Sequence, residues 1–306
     1  MSQEKKKAFM IKNMILNVIL GICTVAIIVC GVMIVRSIND YAVTEERNDR
    51  VNSGMADLID QLEQHKATSS ATTRPDQPQV STGESSATTA VTGTEPTEPT
   101  PEVREEYREI WEYLTGMKAQ YPELFGWIYV KFDDDHIINL PVMQSDDNNY
   151  YIDHAYDGTK SKSGAIFADY RNTDRRLDLN QNLIFYGHNM NNQSMFALLS
   201  TKYKQRDNFD HVPVTFYTLE GAYTFDIFSI YNAKAGENYD TVAFKPENLK
   251  KFCEDLQTRS YFTKKKTFTG SETILTLVTC TNYVTDADGR VIVHGVMDGY
   301  ESFFVD

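Results

Sequence analysis

Cysteine is scarce in this chain: four residues in 306, with no C-x-x-C pair and no Cys/His cluster at zinc spacing. A disulfide scaffold and a structural zinc module are thereby excluded. Positive charge is also in short supply. Thirty Lys and Arg face 43 Asp and Glu, for a net charge of −13. A nucleic-acid binder carries a basic face on a basic domain, so no nucleic-acid partner is expected. Two segments lack whole classes of side chain. Residues 14–35 (MILNVILGICTVAIIVCGVMIV) contain no charge, and residues 67–101 contain no aromatic, Ile, Leu or Met.

The 22 uncharged residues would span about 33 Å as a helix, enough for a bilayer core of about 30 Å. A secretory leader has a shorter apolar core and a small-residue cleavage site, and neither is present. The expectation is an uncleaved anchor, against the alternative of a buried helix. Lys5, Lys6, Lys7 and Lys12 precede it, and Asp40, Glu45 and Glu46 follow. The positive-inside rule then gives a cytoplasmic tail at 1–13, a single pass through the plasma membrane, and an extracellular remainder. With its four Lys and one Glu, the tail leaves −16 on that remainder.

Residues 67–101 hold ten Thr, five Ser and five Pro. They cannot bury enough apolar area to offset their chain entropy, which suggests an extended spacer or a site of O-glycosylation. Between span and spacer, 36–66 places Val51, Met55, Leu58, Ile59 and Leu62 at helical spacing, predicting a stalk helix, solvated or self-associating.

A folded domain is expected over 102–306. It opens with an amphipathic helix carrying Tyr107, Ile110, Trp111 and Leu114 on one face and ending near Gly116 or Pro122. Strand patterns follow at 126–131, 137–143, 164–169, 182–186, 214–217, 222–231, 272–279 and 290–297. One more helix is expected at 246–260, with Pro near its start. Eight short strands with few helices suggest a mainly β barrel or sandwich.

Two strand ends carry reactive groups. In NLIFYGHNM, His188 follows an apolar strand and a glycine; in ETILTLVTC, Cys280 ends the most apolar strand. Arg290 opens the next strand ten residues later, and antiparallel pairing would set it beside Cys280. A thiol needs a lowered pKa or a nearby base to attack, an imidazole can protonate a leaving amine, and a guanidinium can hold an oxyanion. The plain alternatives are a Cys253–Cys280 disulfide, a core His188 and an ion-paired Arg290. The acidic runs at 133–135 and 286–288 lack the spacing of a calcium loop, so solvated turns are expected and no metal.

YGHNM followed by MF and a Leu at 199, then TLVTC with Arg ten residues on, is similar to the signature of sortases, the cell-wall transpeptidases of Gram-positive bacteria. LFGWIYV, LPVMQSDDNNYYIDH and GAIFADYRN, with the helix inserted at 246–260, resemble class B sortases, and the likeness runs over essentially all of 102–306. The resemblance implies a closed β-barrel of about eight strands, with an N-terminal helix and one helix before the last two strands. It implies Cys280 as nucleophile, His188 as general acid/base and Arg290 as oxyanion or substrate-orienting group, with Thr279, Tyr186 and Asn148 at the peptide groove and no cofactor. Substrates would be secreted proteins with an LPXTG- or NPQTN-like C-terminal sorting signal. Acceptors would be an amine of the peptidoglycan precursor or a pilin lysine. Class B enzymes often carry an acid two residues past the Cys; here that position is Asn282. A tethered peptidase that only hydrolyses and a non-catalytic wall-binding module are the other readings.

Overall fold

The computed structural model describes residues 3–72, 102–174, 177–280 and 289–305. The chain divides into two units, Met1–Asp49 and Arg50–Asp306. The first belongs to helix α1 (Gln3–Thr72). It includes the one helix, among the described residues, that is long and apolar enough to cross a membrane; its most apolar stretch has a mean hydropathy of 3.0 and buries nothing.

The second unit is built on a closed barrel. Its strands are β1 (Leu124–Asp133), β2 (His136–Met143), β3 (Ile166–Ala168), β4 (Asn182–Tyr186), β5 (Val214–Tyr217), β6 (Gly221–Lys234), β7 (Ile274–Cys280) and β8 (Gly289–Ser302). They close in the order β1-β2-β3-β4-β7-β8-β6-β5. Most neighbours are antiparallel; β2/β3 and β4/β7 are parallel. The eight expected strands are all present. Their alternation fits a sheet buried on both faces: along β7, Leu275 and Leu277 enter the barrel core while Ile274 and Val278 face an outer layer.

Helices cover the barrel. Helix α2 (Arg108–Gln120) buries Ile110, Leu114 and Met117 and carries Gly116 within it. The short α3 (Ala197–Thr201) and α4 (Arg206–His211), which the apolar pattern does not signal, follow β4. Helix α5 (Pro246–Arg259), between β6 and β7, buries Leu249, Phe252, Cys253 and Leu256 against Phe228 and Ile292.

The stalk expectation needs a correction. From Arg50 onward α1 is not a solvated rod: Val51, Met55, Ile59 and Leu62 are buried in one cluster with Leu114, Trp127 and Tyr129. Asn139 links the two parts, accepting from Trp127 Nε1 at 2.6 Å and donating to Asn52 O at 3.2 Å. Tyr113 donates to Val51 O at 2.8 Å. The packed unit thus starts earlier than residue 102, because the apolar face read as a free stalk has a partner on β1 and α2. Helix α1 also continues through 67–72, into the stretch expected to be spacer; residues 73–101 lie outside the described residues.

Both flanks of that stretch meet at one corner. Lys66 Nζ lies 2.5 Å from Glu301 Oε2 and 5.5 Å from the centre of the Tyr107 ring. Arg104 lies 5.0 Å over the same ring and donates from its backbone to Phe303 O, while Val103 bridges to Phe304.

Candidate active site at the β4, β7 and β8 ends

The register of β7 and β8 makes Cys280 and Arg290 direct partners across the ladder. This follows from the sequence, since two adjacent antiparallel strands return the chain opposite itself. His188 reaches the same end by a separate route. Strand β4 runs parallel to β7 with Tyr186 opposite Val278, and Gly187 N donates to Val278 O at 3.1 Å. Asn189 Nδ2 then donates to Cys280 O at 2.7 Å. The residues on either side of His188 are therefore bonded to the residues on either side of Thr279. Gly187 permits this because a Cβ there would meet the Phe196 ring at 2.7 Å.

Cys280, His188 and Arg290 are all half-buried. His188 Nε2 is bonded to the backbone oxygen of Ile152 at 2.7 Å. Arg290 Nη1 donates to Gly289 O at 3.0 Å. Thr279 is buried, and its Oγ1 finds no hydrogen-bond partner among the described residues. Residues 281–288, which include Asn282, Asp286 and Asp288, lie outside the described residues.

Asn148 and Tyr186 come together through a residue that the sequence did not single out. Asp169 is fully buried, and its Oδ2 accepts from Asn148 Nδ2 at 2.9 Å and Tyr186 OH at 3.0 Å. Arg171 grips both of its oxygens at 2.7 Å. Burial pushes this carboxyl upward, but the Arg171 guanidinium and the other donors outweigh it and hold it below the usual carboxylate range. The same burial, reinforced by the Asp169 charge, raises the Tyr186 hydroxyl far above its ordinary value. Asp169 is an ion that orders the Asn148 and Tyr186 side chains. The signal available for it was GAIFADYRN, where an acid directly follows an apolar strand.

His294 was missed too. It is fully buried on β8, with Nδ1 2.9 Å from Thr276 Oγ1 and Nε2 3.3 Å from Tyr231 OH. Thr276 donates to Asn182 Oδ1 at 2.7 Å, and Asn182 Nδ2 donates to Tyr239 O and Thr241 O. A directional chain of donors thus fastens the segment before α5 to the barrel wall.

Cys253 and Cys280 are both free thiols, so the disulfide alternative does not hold. Burial pushes the Cys253 thiol up to about 12, which leaves it inert at neutral pH. Among the described residues no group of His, Cys, Asp and Glu could hold a metal ion. Asp133 is engaged by Lys202 and His136, which lower its carboxyl to about 2.

A sequence model of the sortase domain matches residues 136–298. The Sortase B of Listeria monocytogenes is 34% identical over 198 residues, covering 63% of this chain and 74% of that protein. The X-ray structure of Clostridium perfringens sortase B superposes with a TM-score of 0.55 at 30% identity, over 60% of this chain and 99% of the other. A Staphylococcus aureus sortase B–substrate complex gives a TM-score of 0.55 at 25% identity, over 64% and 86%. The chain belongs to the sortase family, in its class B branch. It is a cysteine transpeptidase of the sortase type.

Proposed function

We propose that the enzyme is anchored in the plasma membrane through residues 14–35, with residues 1–13 cytoplasmic and the barrel outside. In this reading it cleaves the C-terminal sorting signal of secreted proteins and joins them to an amine. The observation that carries the site is the convergence of three chain segments: Cys280 opposite Arg290 across β7/β8, and His188 stitched to β7 through Gly187 and Asn189.

The Cys280 thiolate attacks the carbonyl before the scissile bond. Arg290 and backbone N–H groups receive the developing oxyanion, and His188 gives its proton to the departing amine, leaving a thioester. An incoming amine, deprotonated by the same imidazole, attacks the thioester; the new amide forms as the sulfur leaves. Asn148 and Tyr186, ordered by Asp169, line the peptide groove with Thr279. The donor is an LPXTG- or NPQTN-like signal. The acceptor is an amine of the peptidoglycan precursor or a pilin lysine.

The test uses the full chain in detergent with a panel of sorting peptides, with and without triglycine, followed by mass spectrometry. A Cys280 acyl adduct and a triglycine-ligated product are expected with at least one peptide. Cys280→Ala should give neither, and Arg290→Ala should lose about 10²–10³-fold in rate, the usual cost of one oxyanion donor. Hydrolysis without ligation would reject the amine acceptor. Full activity in Cys280→Ala would reject the site.

A further inference from the structure

An imidazole that shuttles protons needs its second nitrogen held, so that the ring keeps one orientation and one tautomer. The holder is commonly a carboxylate or a backbone carbonyl. Among the described residues no carboxylate reaches His188. Its Nε2 instead meets the Ile152 carbonyl at 2.7 Å. A carbonyl oxygen only accepts, so Nε2 carries the proton and Nδ1 is the nitrogen left for chemistry.

That carbonyl is itself held in place. Ile152 N donates to Asn149 O, Ala165 N donates to Tyr151 O, and Ser161 N donates to Asp153 O, so the excursion between β2 and β3 folds back on itself. Gly164 sits directly against it. Its φ is +57°, and a Cβ there would lie 2.4 Å from Tyr151 O and 2.7 Å from Ile152 O. Such approaches are closer than atoms tolerate, and they point at the atom that bonds His188. Gly158, in the same excursion, has a similar φ of +76°, but its Cβ would meet only Tyr150 OH at 3.4 Å. The two glycines share the backbone strain and differ in the carbonyl contact.

We propose that the Ile152 backbone carbonyl orients His188, and that Gly164 is a positioning residue whose missing side chain lets that carbonyl reach the ring. The inference rests on His188 being the general acid/base. Nδ1 then takes the proton from Cys280 Sγ, which gives the attacking thiolate. The same nitrogen returns it to the leaving amine as the C–N bond breaks and the thioester forms. A side-chain scan at 152 would miss this role, because the active atom belongs to the main chain.

The experiment records ring nitrogen-15 spectra of the histidine-labelled full chain in detergent, with His188→Gln used to assign the His188 signals. The wild-type ring should be protonated at Nε2, with the hydrogen-bonded shift of that nitrogen. Gly164→Ala should lose that signature and drop kcat of peptide ligation about 10²-fold, the low end of a general acid/base contribution, with KM changed less than threefold. Gly158→Ala should keep the signature and stay within about twofold of wild type in kcat. A wild-type His188 protonated at Nδ1 alone would overturn the proposal, even if Gly164→Ala does not fold. So would a folded Gly164→Ala that keeps both signature and rate, or a Gly158→Ala that loses both. Failure of the functional reading looks different: the tautomer and its dependence on Gly164 would persist while no peptide forms an adduct with Cys280.

Discussion

His294 has no exposed surface, and its ring is bonded at both nitrogens to neutral hydroxyls. Burial, with Arg259 adding repulsion, lowers its pKa to about 3. Unfolded histidine titrates near 6.5, so below that pH the unfolded chain takes up a proton that the folded chain refuses. Stability should fall as pH drops from about 6.5 toward 3, at a slope approaching ~1.4 kcal/mol per pH unit from this residue. Thermal melts across that range should show a gentler slope in His294→Gln than in wild type. Asp169 acts in a lower window: its depressed carboxyl stabilises the fold above the ordinary carboxylate range, and that contribution is lost as pH falls through the depressed value. Asp169→Asn keeps the shape but removes the charge gripped by Arg171. It should cost about 1.5–3 kcal/mol in denaturant unfolding and raise KM for sorting peptides more than it lowers kcat.

Helix α1 is the element whose reading changed most. Met55 is fully buried and Ile59 nearly so, and removing either side chain to Ala should destabilise the catalytic unit by about 2–4 kcal/mol in denaturant titrations. A chain starting at residue 102 would expose Trp127 and Leu114 where Met55 and Ile59 belong, and should unfold at lower denaturant than one starting at residue 50. The helical period of 51–62 was plain in the sequence; its destination on β1 was not, since period reports a face and never the partner of that face. The strands were legible for the complementary reason. Alternation and turn residues are local, and the pairing of Cys280 with Arg290 needs only two adjacent strands. Asp169 and Gly164 stayed hidden because their roles are made by contacts across the excursion between β2 and β3. His294 stayed hidden because its partners arrive from β7 and β6. No spacing along the chain encodes such meetings.

For the molecule as a whole, the chain is fastened to the barrel by α1 and Lys66 before residue 67, and again by Val103 and Arg104. A protease cut within 73–101 should leave the two fragments together on size exclusion under native conditions and separate them in denaturant. There is a mechanical side to the same corner at Tyr107 and Glu301. A pull on α1 against the barrel loads its packed face first, peeling it from the Arg50 end. Once Lys66 lets go of Glu301, residues 67–101 set an upper limit of roughly 115 Å of contour, at ~3.3 Å each. The corner thereby sets the order in which the chain yields to a pull: the packed face of α1 first, the Lys66–Glu301 pair next.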